Sequence, residues 1–170
     1  NRQTYALFTT DKGGVSDDLI ITRWDQDRFF LVVNAACKTQ DIAHLRKHLS
    51  DVCDIEELTD RGLIALQGPA AESALAKLNP EVAAMAFMDV KDVTLVGAPC
   101  IVSRSGYCGE DGYEISVPAG KAVELTKALL ADPDVHLIGL GARDSLRLEA
   151  GLCLYGNDIG TTTTPVAASL

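Results

Sequence analysis

The chain has 170 residues, of which 47% are hydrophobic and 23% charged, and it carries a net charge of −9 at pH 7 with a pI near 4.7. That length buries a core as one large domain or two small ones, and the acidic balance argues against nucleic acid, whose phosphates require clustered Lys and Arg. No apolar run reaches membrane-spanning length, and the opening NRQTYALFTT lacks both the basic start and the apolar core of a signal peptide.

Cysteine usage points the same way. Cys37, Cys53, Cys100, Cys108 and Cys153 are odd in number and show no C-x-x-C spacing, so free thiols in a reducing compartment are expected. Cys108, in a polar loop, is the one expected to be exposed. The chain lacks an initiator Met, opens on a strand pattern and ends at TTTTPVAASL without a closing element. A piece of something larger is therefore expected.

In chain order, residues 5–10 read as a strand, Asp11-Lys12-Gly13-Gly14 as a turn and residues 15–23 as the returning strand. A polar turn at residues 24–27 leads to a continuous apolar run, residues 29–33, expected as a buried third strand ending at Asn34. Residues 38–49 follow as a helix with Ile42, Leu45 and Leu49 on one face and Thr39 as a candidate cap. The acidic stretch 50–61 has no helical stripe and reads as a linker. The pattern then restarts: a strand at 62–67, a helix from Gly68-Pro69 to Leu78, a hairpin turning at Gly97-Ala98-Pro99, a strand at 112–118, a helix at 119–130 and a last strand at 135–138. Strands and helices alternate without the regular beat of a doubly wound sheet. The expected class is α+β, with antiparallel or mixed sheets, packed helices and a ferredoxin-like unit around residues 60–140. The expected divisions are 1–55, 56–140 and 141–170.

Beyond Gly139 and Gly141 a helical pattern begins. Ala142, Leu146, Ala150 and Cys153 recur at helical spacing and are expected to form a packed stripe, with Arg143 and Arg147 on the neighbouring one. Asp144 can pair with Arg147 three residues on, which leaves Arg143 the freer guanidinium to grip a carboxylate or a polar ring edge. Gly139-x-Gly141 is a weak dinucleotide signal, because residue 144 is Asp where that fingerprint requires Gly or Ala. His44 and His48 have the spacing of a zinc pair, but Leu45 follows His44 in place of Glu and no third ligand is evident, so no metal site is expected.

Two acids in mid-strand, Asp17 and Asp18, break the local rule for β structure, as functional sites tend to do. Alternation sends one of them inward, without choosing which. In the strand at 112–118, Tyr113, Ile115 and Val117 share one face, so Glu114 and Ser116 share the other. Glu114, Arg143 and an aspartate of the first hairpin are expected to face a common cavity. Carboxylates and a guanidinium suit a heteroaromatic ligand with amino and imino donors.

The stretches GGVSDDLI (13–20), VVNAAC (32–37), ALQGPAA (65–71), SGYCGEDGYEISVP (105–118) and GARDSLRLEAGLCLYGND (141–158) closely resemble the aminomethyltransferases, the T proteins of the glycine cleavage system. The resemblance runs through essentially the whole chain. It implies a tetrahydrofolate-dependent transferase that converts the aminomethyl group on the lipoyl arm of the H protein to ammonia and 5,10-methylenetetrahydrofolate. By the same resemblance Asp18 is the catalytic acid, while Glu114, Arg143 and Asn34 are folate or substrate contacts. No metal, membrane or nucleic acid is implied, and the compartment is the cytoplasm of a bacterium or the mitochondrial matrix of a eukaryote. Members are roughly twice this length and form a three-domain ring, so weak folate binding at best is expected of the 170 residues alone. The fold also serves in dimethylglycine and sarcosine dehydrogenases, but no flavin-binding half shows here. A non-transferase folate-binding relative that supports iron-sulfur proteins carries K-G-C-Y-x-G-Q-E, and the loop here reads SGYCGEDGYE instead.

Overall fold

The computed structural model describes residues 1–170, which form two compact units: one of Asn1–Arg2 and Asp60–Leu152, the other of Gln3–Thr59 and Cys153–Leu170. The second unit is built on a three-stranded sheet in the order β1-β2-β3, with β1 at Arg2–Thr9, β2 at Val15–Arg23 and β3 at Phe29–Val33. β2 and β3 run antiparallel from Leu19 opposite Val33 to Arg23 opposite Phe29. The turn between β1 and β2 closes with Thr10 N donating to Gly14 O at 2.8 Å, and Gly13 supplies the positive φ (79°) it needs. A side chain at Gly14 would meet the chain's far end, since a Cβ there would lie 1.8 Å from the Thr161 carbonyl oxygen. Beside it Val15 N donates to Thr163 O at 2.9 Å, so residues 161–163 are seated on the start of β2.

Helix α1 (Lys38–Leu49) follows β3 with Cys37 at its N-cap and no side-chain capping bond, so Thr39 lies inside the helix and does not cap it. Its expected apolar face is only half-buried at Ile42 and Leu45 and exposed at Leu49, and the residue it buries is Asp41.

The other unit contains β4 (Arg61–Gln67), α2 (Ala71–Ala76), a 3₁₀ turn (Pro80–Ala84), β5 (Val90–Leu95), β6 (Ala98–Ser103), β7 (Gly112–Pro118), α3 (Ala122–Leu129) and α4 (Leu140–Glu149). Its sheet has the order β4-β7-β6-β5 with every pair antiparallel. The class is α+β with antiparallel sheets, as expected, but the strand order is not ferredoxin-like. That arrangement requires a parallel central pair, and here β5, β6 and β7 form a meander whose last strand lies beside β4. The β5–β6 hairpin turns at Val96 (φ 49°) and Gly97 (φ 70°), one residue earlier than expected, because the two-residue turn that matches strand twist needs positive φ at both positions.

One face of this sheet makes the core. Leu66, Val93, Leu95, Ala98, Cys100, Val102, Tyr113, Ile115 and Val117 pack with Ala71, Leu75, Val82, Met85, Leu125 and Leu129. The alternation read on β7 is therefore realised, and Glu114 points from the opposite face. Residues 135–138 are not a strand. Leu137 and Ile138 are exposed and no neighbour pairs with them, so an apolar run without a partner stays irregular. The stripe expected on α4 is also unburied: Ala142, Leu146 and Ala150 are exposed, and the one buried residue of the helix is Arg147. Arg147 Nε donates to Asp144 Oδ1 at 2.8 Å, the expected pair, and its Nη1 donates to Leu152 O at 3.2 Å.

Candidate functional site

The candidate residues fall into two clusters, one in each unit. On β2, Val15, Asp17 and Leu19 are buried in alternation, with Thr22 buried farther along, and Asp18 falls between them, which resolves the open question: Asp17 is the interior acid and Asp18 the half-buried one. The Asp18 carboxylate accepts from two directions, Asn34 Nδ2 to Oδ1 at 2.6 Å and the Tyr5 hydroxyl to Oδ2 at 3.0 Å. Asn34, just past β3, also donates Nδ2 to Asp17 Oδ1 at 2.9 Å and to Asp18 O at 3.2 Å, and its backbone N to Asp17 Oδ2 at 3.3 Å. The two predicted residues Asp18 and Asn34 are thus in direct contact, and the asparagine amide is engaged by both aspartates.

Four further residues belong to this cluster. The Cys37 thiol hydrogen-bonds to Asp17, and burial with the surrounding carboxylates pushes it up to about 12, so it stays protonated. Asp41 reaches Asp17 from α1, and burial, with the hydrogen bond to Asp17 and that residue's charge, pushes its carboxyl up to about 7. Burial also raises the Tyr155 phenol, and Gln40 from α1 donates Nε2 to Ser16 O at 2.9 Å. Asp41 was legible only as one acid on a helix. A helical stripe flags apolar residues, and nothing in spacing announces an inward carboxyl.

The second cluster surrounds Glu114. Its neighbours across the sheet are Ala65 on β4 and Ser103 on β6. Ser105 Oγ donates to Glu114 Oε2 at 3.3 Å and lies 2.9 Å from Ser103 Oγ. Burial raises the Glu114 carboxyl, while Ser105 and the positive charge of Arg143 pull it back. Glu114 and Arg143, expected to face a common cavity, lie near enough for the arginine's charge to act on the carboxyl. The Arg143 guanidinium sits over the Tyr107 ring, 4.5 Å from its centroid, a cation–π contact that anchors an exposed arginine.

Gln67 positions this loop. Its Nε2 donates to Leu66 O (3.2 Å), Ser105 O (3.0 Å) and Tyr113 O (3.2 Å), and its Oε1 receives the Cys108 thiol at 3.3 Å. Cys108 is therefore buried, contrary to expectation, and Cys53 is the exposed thiol. A polar, glycine-rich loop reads as solvated, whereas this one closes over a glutamine that the glycines leave room for. A Cβ at Gly106 would lie 1.6 Å from Gln67 Oε1. A cavity of about 290 Å³ on the same sheet, lined by Arg61, Asp92, Thr94 and Pro99, includes none of the candidate residues. The His44 and His48 rings lie 4.6 Å apart, tilted at 51°, with Phe8 5.0 Å from His44, and no group of three or more His, Cys, Asp or Glu stands in an arrangement able to hold a metal ion. No helix is long and apolar enough to cross a membrane.

Comparison with known proteins identifies the family. The family model described as the GCVT N-terminal domain matches residues 1–170. The probable mitochondrial aminomethyltransferase of Schizosaccharomyces pombe is 47% identical over 98% of this chain and 44% of its own length. The mitochondrial aminomethyltransferase of Canis lupus familiaris is 46% identical over 100% of this chain and 44% of its own. The crystal structure of glycine cleavage system aminomethyltransferase T from Bartonella henselae superposes with a TM-score of 0.87 at 43% identity, covering 97% of this chain and 45% of that one. The chain thus spans less than half the length of the relatives it matches. At this identity and over this span, it belongs to the family of the GCVT N-terminal domain.

Proposed function

We propose that these residues serve a tetrahydrofolate-dependent aminomethyltransferase of the glycine cleavage system, which takes the aminomethyl group from the lipoyl arm of the H protein and yields ammonia and 5,10-methylenetetrahydrofolate. The observation that carries the reading is the Asp18 carboxylate, held by Asn34 at 2.6 Å and Tyr5 at 3.0 Å on a strand where an acid is unfavourable. Held so, Asp18 hydrogen-bonds the departing amine and keeps it protonated, and proximity with proton positioning supplies most of the rate. Asn34 acts by fixing Asp18.

Tetrahydrofolate supplies the amines that take up the one-carbon unit, and the second cluster fits such a ligand. Glu114 offers a half-buried carboxyl to the amino and imino edge of a planar ring, and Arg143, anchored over Tyr107, offers a flat cation to a carbonyl or carboxylate. In a eukaryotic source the protein works in the mitochondrial matrix, as the names of the eukaryotic relatives support, and in a bacterium in the cytoplasm. The test is tetrahydrofolate-dependent ammonia release from aminomethylated H protein by the intact enzyme. Asp18→Asn is expected to lower the rate by about a hundredfold or more with an unchanged melt, and wild-type turnover would refute the assignment.

A further inference from the structure

Asp17 has no role in the reaction as proposed, yet its surroundings are elaborate. It has no exposed surface, and four donors converge on its carboxylate: Asn34 N at 3.3 Å, Asn34 Nδ2 at 2.9 Å, the Cys37 thiol and the Asp41 carboxyl. Two carboxyl groups hydrogen-bond to each other only when one of them holds a proton. Asp41 holds it. Its residue is 2% exposed and its Oδ2 has no hydrogen-bond partner, which a neutral carbonyl oxygen tolerates far better than an ionised carboxylate does. The titratable groups facing the pair are Asp18 beside it on β2, the protonated Cys37 thiol before α1 and the Tyr155 phenol of the return segment, and none of them is a cation.

We propose that Asp41 and Asp17 are positioning residues for Asp18: the one proton held between them fixes Asp17, Asp17 fixes the Asn34 amide, and that amide fixes the Asp18 carboxylate. The proposal rests on the reading of Asp18 as the catalytic acid. The linkage is a single side chain long, because Asn34 Nδ2 touches Asp17 Oδ1 at 2.9 Å and Asp18 Oδ1 at 2.6 Å. When the shared proton leaves, two anions face each other in a buried site, the Asp17 grip on Asn34 shifts, and Asp18 loses its fixed direction. Transfer therefore falls as pH rises through the titration of Asp41, near 7.

The experiment uses the intact enzyme with tetrahydrofolate and aminomethylated H protein, over about pH 6 to about pH 8. Asp41→Ala removes the donor to Asp17 and is expected to lower kcat about tenfold with KM nearly unchanged. Asp41→Asn carries a permanent donor, so it restores most of what alanine loses and removes the step near pH 7 from the profile. Carbon-13 NMR of the aspartate carboxyls, with Asp41→Asn to assign the resonance, should show Asp41 titrating near 7 in the unmutated protein. Titration in the ordinary carboxylate range overturns the proposal. So does a wild-type kcat and pH profile in Asp41→Ala, or an Asp41→Asn variant as damaged as alanine. Asp18→Asn run alongside separates the readings: if it is silent, the catalytic assignment fails and the proposal falls with it. If it is damaging while Asp41→Ala is silent, only the positioning role fails.

Discussion

Arg104, one residue past β6, holds two carboxylates, a backbone carbonyl and an aromatic ring with one side chain, and Arg104→Met measures what that network contributes. Its Nε and Nη2 grip Asp111 at 2.9 and 2.6 Å, Nη2 also meets Glu72 at 2.6 Å, Nη1 donates to Met85 O at 2.7 Å, and the guanidinium lies 5.5 Å from the Tyr113 ring centroid. The arginine side chain is 16% exposed, but Asp111 and Glu72 are 36% and 43% exposed. Water can therefore take over much of what the carboxylates lose, and each contributes at most about 1 kcal/mol. The Met85 carbonyl loses a charged donor for about 1.5 kcal/mol, and the ring contact adds about 0.5 kcal/mol. Truncation to Met, which keeps the packing of the stem, should thus destabilise by about 3 kcal/mol, or lower Tm by about 6–12 °C for a chain of this size.

The pH dependence identifies the mechanism. Arg104 holds the Asp111 carboxyl below its ordinary range, so this contribution is present above the unfolded value and is lost as pH falls through the depressed one. Urea unfolding of both proteins should show the gap of about 3 kcal/mol at pH 7 narrowing below about pH 4. A gap under about 1 kcal/mol at pH 7, or one that does not change in acid, would show that the network contributes only as a solvated surface pair. Because residues 104–111 carry Ser105 and Tyr107, the same variant should weaken folate binding by the intact enzyme.

Asp41 titrates with the opposite sign. Its folded value of about 7 lies above the unfolded 3.8, so its stabilising share is full in acid and falls as pH rises from about 4 to 7; denaturant melts at these two ends should differ by about 2–4 kcal/mol, and Asp41→Asn should remove that part of the slope. Gly106→Ala drives a methyl into Gln67, whose amide is held by three carbonyls, and should destabilise by about 1–2 kcal/mol and speed proteolysis of the 105–111 loop. Thiol titration of the native 170-residue chain should find Cys53 reacting at once and Cys153 more slowly, with Cys37, Cys100 and Cys108 waiting for denaturant.

How far the sequence was legible depends on whether a signal is local. β2, β3, α1 and β7 begin and end where periodicity and turn residues put them, because alternation and turn chemistry act within a few residues. The α+β class follows from those elements. Failures occur where the answer depends on a distant partner. Residues 135–138 have the composition of a strand and no edge to pair with, and α4 has an apolar stripe that these residues leave uncovered. The strand order of the second sheet turns on where β7 returns, which no local pattern encodes. At the candidate site, chemistry-bearing residues were visible as rule-breakers, Asp17 and Asp18 above all. Their supports Tyr5, Asp41, Ser105 and Gln67 were not, since each is an ordinary residue made special only by what it touches.

The pairing of Val15 with Thr163 has a consequence for synthesis. The unit of Asp60–Leu152 is continuous apart from its first two residues, so nearly all of it can assemble as soon as it leaves the ribosome, whereas the unit holding Asp18 must wait for Cys153–Leu170. At about 5–20 residues per second the intervening segment takes roughly 5 to 20 seconds to appear. Through that interval the start of β2 and the backbone of Gly14 have no partner from the return segment. Closing a loop of about 150 residues also costs about 2 kcal/mol more than closing one of 20. The late seating of Thr161 and Thr163 is therefore expected to be the slow folding step, and a nascent chain halted before residue 161 should expose the β1–β2 hairpin to protease while β4–β7 are already protected.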